Sequence, residues 1–120
     1  MGSSANYSTS IPRTDLKYRE QINDVTSYID TSQVYGVSIE VSSLLMDSST
    51  GELVRGEPSN FGGKPLLSTT DTGVPALCVQ RSVPHKCFVA GDERVNQHTS
   101  LTSIHVIHMR EHNRLVHILR

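Results

Sequence analysis

The sequence predicts a mainly α chain: one long helix near its end, one short helix earlier, and a loop-rich middle. Three observations predict it. Residues 99–119, TSLTSIHVIHMREHNRLVHIL, place Leu101, Ile104, His108, Leu115 and Leu119 near one helical face, and Val106, Met109 and Val116 widen that face. Residues 38–47, SIEVSSLLMD, offer Ser38 as an N-cap and bring Ile39, Val41 or Ser42, Leu45 and Met46 near one face. Residues 51–86 are dense in Gly, Pro, Ser and Thr, which break regular elements.

Taken in order, residues 1–18 are polar and without period, and read as a poorly ordered lead-in. Residues 19–36 alternate irregularly, with a turn of helix expected around Asn23–Ser27 and extended chain after it, up to Gly36. The short helix should stop at Thr50-Gly51. Glu52–Arg55 and Pro65–Thr69 read as short strands or extended pieces. Thr99 is the expected cap of the long helix, which should run for about five turns at ~3.6 residues each.

Composition narrows the functional classes. With 120 residues the chain makes one small domain, and a domain of that size buries only about two-thirds of its unfolded surface. Hydrophobic residues make up 36% and aromatics 5%, and Ser and Thr account for 26 positions, so core material is scarce. So much loop is rare in a compact domain, which points to a piece that leans on missing neighbours. Eleven Lys and Arg against twelve Asp and Glu leave a net charge of -1, with no basic stripe for nucleic acid. Apolar runs are far shorter than the ~20 residues a membrane span needs. Met1 to Ser10 lacks the basic and apolar regions of a signal peptide. Cys78 and Cys87 are the only cysteines, and a disulfide would imply an oxidising compartment.

Three constellations could carry chemistry. His108-Met109-Arg110-Glu111-His112 reads H-x-x-E-H, whose histidines at i and i+4 could grip zinc with Glu111 as general base. Histidines packed along a half-buried helix explain the same letters better. Thr26, Tyr28, Asp30 and Ser32 place oxygen at every second position, as a hard cation wants, yet only Asp30 is a carboxylate. A polar loop is the simpler account of that spacing. Arg94 follows the run Cys87-Phe88-Val89-Ala90-Gly91-Asp92 just before the long helix, and an Arg there could stabilise developing negative charge or simply face solvent.

Two segments carry a resemblance. Residues 19–36, REQINDVTSYIDTSQVYG, and 87–115, CFVAGDERVNQHTSLTSIHVIHMREHNRL, resemble the animal haem peroxidases, the peroxidasin, myeloperoxidase and insect chorion peroxidase group. The resemblance runs from about Arg19 to Arg120 and is weakest between Gly51 and Pro75. It implies a partial peroxidase domain over 19–120 with a mainly α fold. It implies that Arg94 is the distal-cavity arginine, which works with a distal histidine to align hydrogen peroxide over haem b and to help break the O–O bond. It implies that Thr26, Tyr28 (through its carbonyl), Asp30 and Ser32 belong to a calcium loop, and that Cys78 and Cys87 form a disulfide. It makes His108, Glu111 and His112 part of a structural helix.

Departures from the family pattern shape the expectation. The distal histidine lies upstream in a segment like GQxxDHD, which is absent here, and the proximal histidine lies downstream of residue 120. Where mammalian members carry a glutamate ester-linked to the haem, this chain has Gln97, an amide that forms no such ester but could sit near the haem rim. The expectation is an internal fragment of a secreted peroxidase that uses hydrogen peroxide and a reducing donor. The alternative is a non-catalytic truncated product, or a binding or structural piece, without either haem-pocket histidine.

Overall fold

A computed structural model describes residues 25–60, 62–69 and 86–120. The chain divides into two units, Met1–Asp30 and Thr31–Arg120. The second unit holds, in order, α1 (Ser32–Tyr35), α2 (Ile39–Leu45), β1 (Arg55–Pro58), β2 (Pro65–Leu67), a 3-10 turn (Glu93–Asn96) and α3 (Thr99–Leu119). It is mainly α, as expected, with one small antiparallel pair in which Arg55 faces Leu67 and Pro58 faces Pro65. No helix among the described residues is long and apolar enough to cross a membrane. The lead-in at 1–18 lies outside the described residues, as do Asn23 and Asp24 of the expected first turn.

α2 forms where its cap predicts. The Ser38 hydroxyl oxygen accepts from the Val41 N–H (3.3 Å), and the Val41 and Leu45 side chains turn inward. The helix stops at Leu45 rather than at Gly51, because Met46 leaves to pair with Leu53. Ile39, expected on the inner face, is exposed. Where extended chain was expected after Ser27, the structure has the single turn α1. Its carbonyl cap is Thr31, which sits at φ 59, an uncommon conformation for a β-branched residue. Gly36 closes α1 at φ 87, where a Cβ would meet the Val41 side chain at 2.7 Å.

α3 has the predicted bounds but a different cap and a different inner face. The His98 Nδ1 accepts from the Ser100 N–H (3.1 Å), so His98 caps the helix in place of Thr99. The buried side chains are His105, Val106, Met109 and Asn113. Ile104, His108, Leu115 and Leu119, expected to face the core, lie on the outer side. At 3.6 residues per turn the mean directions of the two sets lie about 125° apart around the cylinder. The core gathers Val34, Leu45, Leu53, Leu67, Val89, Ala90, Val95, Val106 and Met109 between α3 and the short elements.

Candidate functional site

The segment Phe88–Asn96 is held at several points. Asn96 closes it from within: its Oδ1 accepts from the Phe88 N–H (2.9 Å) and its Nδ2 donates to the Phe88 carbonyl (2.7 Å). Val89 is buried and donates from its N–H to the Ser68 carbonyl (2.9 Å), while Thr69 bridges to Phe88. Val95 is fully buried beneath the segment, and its carbonyl accepts from the Thr102 hydroxyl of α3 (2.6 Å). The loop is thereby tied to β2 on one side and to α3 on the other.

α1 grips the middle of this loop. The Gly91 N–H donates to the Val34 carbonyl (3.2 Å) and the Asp92 N–H to the Gln33 carbonyl (3.0 Å). The approach is so close that a Cβ on Gly91 would overlap backbone atoms of Ser32, Tyr35 and Gly36. Only glycine fits there, for lack of space rather than for its backbone angles.

Asp92 and Arg94 follow directly. The Asp92 Oδ1 accepts from the Arg94 N–H (2.9 Å) and so caps the 3-10 turn. The same carboxylate takes the Arg94 guanidinium two-pronged, with Nε to Oδ1 at 2.9 Å and Nη2 to Oδ2 at 2.6 Å. The guanidinium hydrogen bond holds the Asp92 carboxyl below the usual carboxylate range, against an opposing push from burial, and the nearby His105 adds to the lowering. The interaction is therefore present above the ordinary carboxylate pKa and is lost as pH falls through the lowered value. About half of the Arg94 side chain is exposed (49%) while that of Asp92 is mostly covered (17%). Gln97 ends the turn with its N–H on the Arg94 carbonyl (2.9 Å), and its side chain is exposed.

The expected calcium loop is described from Thr26 onward. The Thr26 hydroxyl oxygen accepts from the Tyr28 N–H (3.0 Å), and Tyr28 and Asp30 are exposed. These three residues belong to the first unit, and Ser32 opens α1 in the second. Hydroxyl, carbonyl and carboxylate oxygens are the donor set a hard cation takes, so the residues present suit calcium in kind. Among the described residues no cluster of three His, Cys, Asp or Glu could hold a metal.

The zinc pattern does not assemble. The His112 Nδ1 meets the Tyr35 hydroxyl (3.0 Å) and its Nε2 meets the Gly51 carbonyl (2.9 Å). Because a carbonyl only accepts, the neutral ring carries its proton on Nε2 and Tyr35 donates to Nδ1. Both ring nitrogens are thus engaged, the His108 Nδ1 sits on the Ile104 carbonyl, and Glu111 pairs with Arg114 at 2.6 Å. His112 is a strut between α1, the turn after α2, and α3.

Cys87 is buried and disulfide-bonded, and Cys78 lies outside the described residues. A cavity of about 20 Å³ in the core beside His105 has room for roughly one water and is far too small for a porphyrin. Sequence reasoning missed Asn96 and Asn113. Asn113 repeats the Asn96 arrangement on Leu53, accepting from its N–H (2.8 Å) and donating to its carbonyl (3.0 Å). The usable signal was an Asn in mid-helix, where propensity disfavours it.

Comparison with known proteins fits this geometry. The family model described as animal haem peroxidase matches residues 3–120. The chain is 46% identical over 99 residues to a human protein named probable oxidoreductase PXDNL, covering 81% of this chain and 7% of the relative. It is 42% identical over 110 residues to human peroxidasin homolog, covering 89% of this chain and 7% of that protein. Human myeloperoxidase is 36% identical over 107 residues, 87% of this chain and 14% of its own length. The chain thus spans well under a fifth of the curated relatives it matches. With the match extending through both the Thr26–Ser32 and the Phe88–Asn96 segments, the chain belongs to the animal haem peroxidase family.

Proposed function

We propose that this chain is the part of a secreted haem peroxidase that contributes the distal arginine, Arg94, and the calcium loop, Thr26, Tyr28, Asp30 and Ser32. The whole protein reduces hydrogen peroxide to water with two electrons from a reducing donor. The observation that carries the reading is the Arg94 guanidinium, partly exposed and locked by Asp92 on a loop closed at Phe88 and Asn96. A fixed guanidinium has little to reorganise when charge develops on a departing oxygen. Haem b, held by the rest of the domain, supplies the electron-transfer chemistry when bound. Arg94 would hold peroxide by its N–H donors and stabilise the oxygen that leaves as water, while Gln97 would face the haem rim without an ester bond. Calcium would be held by the Thr26 and Ser32 hydroxyls, the Tyr28 carbonyl and the Asp30 carboxylate, with further ligands from outside this chain. A Cys78–Cys87 bond suits an extracellular enzyme.

The test is Arg94→Ala in the full-length haem-loaded protein carrying this segment. The rate of peroxide-driven change in the haem absorption band should fall by roughly a hundredfold or more, as when a charge-stabilising donor is removed. The resting haem spectrum should be kept. An unchanged rate removes Arg94 from the role. If that protein binds no haem at all, the non-catalytic reading takes its place.

A further inference from the structure

We propose that Asp92 is a positioning residue for Arg94: its carboxylate, not the backbone alone, fixes where the guanidinium points. This rests on Arg94 acting on peroxide. Three observations build it. First, the Asp92 backbone is placed independently of its side chain, because α1 takes the N–H groups of both Gly91 and Asp92. The carboxylate therefore starts from a fixed base. Second, the contact is two-pronged, with both carboxylate oxygens on the Nε–Nη2 edge of the guanidinium. A single hydrogen bond would let the plane swing, whereas two parallel bonds define it. Third, Asp92 is mostly covered while Arg94 is half exposed, so the acceptor is the rigid partner and the donor the one being aimed.

A carboxylate in this place also offsets the arginine charge, so the guanidinium acts through donor geometry as well as net charge. Asp92 has a second role as cap of the 3-10 turn, and the two roles separate chemically. Asparagine caps a helix as well as aspartate does. Its amide offers only one acceptor oxygen, and turns an N–H₂ group toward the guanidinium where the second oxygen stood.

The experiment is Asp92→Asn in the full-length haem-loaded protein, beside Arg94→Ala and the double variant. Asp92→Asn should keep the cap, leaving the resting haem spectrum like the parent's and lowering the thermal midpoint only slightly, as loss of a half-exposed ion pair does. The rate of the peroxide-driven change in the haem band should still fall by roughly tenfold or more, because misplacement of a fixed donor costs at least that much. The double variant should be no slower than Arg94→Ala, because a residue that acts only through Arg94 has nothing left to position. A parent-like rate in Asp92→Asn overturns the proposal. So does a double variant slowed well beyond Arg94→Ala, which would mean Asp92 acts on its own. If Arg94→Ala itself is silent, the functional reading fails first, and the two failures are distinguishable.

Discussion

The two sides of α3 make an instructive contrast. One side carries His105, Val106, Met109 and Asn113, a mixed set that includes two polar residues, and it is buried. The other carries Ile104, Ile107, Leu115 and Ile118, a more apolar set, and it is between 44% and 64% exposed. Hydrophobicity alone ranks them the wrong way round. The buried side is held at Asn113, which takes both backbone groups of Leu53, while the His105 Nδ1 takes the Leu101 carbonyl and its Nε2 stays buried without a hydrogen-bond partner. Burying polar groups costs little once they are bonded. An apolar stripe left exposed in this way is the kind of surface that makes contacts with another element or molecule.

Substitutions on the two sides can break this contrast. The largest effect is expected for Met109→Ala at the centre of the inner side, a loss of about 2–5 kcal/mol of stability from the cavity it leaves. Urea unfolding followed by far-ultraviolet circular dichroism measures it. Asn113→Ala comes next, at about 1–3 kcal/mol, because the buried Leu53 amide and carbonyl lose their partner. Faster amide exchange at Leu53 would locate that loss. The smallest effect is expected on the outer side, where Ile118→Ser in the 120-residue chain should stay within about 0.5 kcal/mol of the parent and raise its solubility. The same change in the longer protein should cost more. Equal losses for Met109→Ala and Ile118→Ser in the short chain would dissolve the distinction.

How much was legible follows from the same physics. The bounds of α3 were readable because 21 residues of helical period outlast local noise. Its inner face was not, since periodicity marks an apolar stripe without saying which partner covers it. α2 was readable from Ser38, whose side chain caps in the expected way. α1 was missed because four residues carry no period, and its shape depends on Thr31 adopting a positive φ that no propensity favours. Arg94 was singled out from its surrounding motif, and its proposed role rests on that resemblance. The role of Asp92 was not, because it needs the distance between two side chains only two residues apart. Asn96 and Asn113 could be noticed as odd letters, yet only the fold reveals the backbones they hold.

The Phe88–Asn96 closure has one more consequence. Joining two positions eight residues apart makes a small ring of chain with Arg94 inside it. The length-dependent part of closing a flexible ring of that size is about 1.8 kcal/mol of entropy, one and a half RT times the logarithm of its length. That loss is taken while the chain folds, before any small molecule arrives. What meets Arg94 meets a side chain whose track is already laid, so its binding carries no share of ordering the loop.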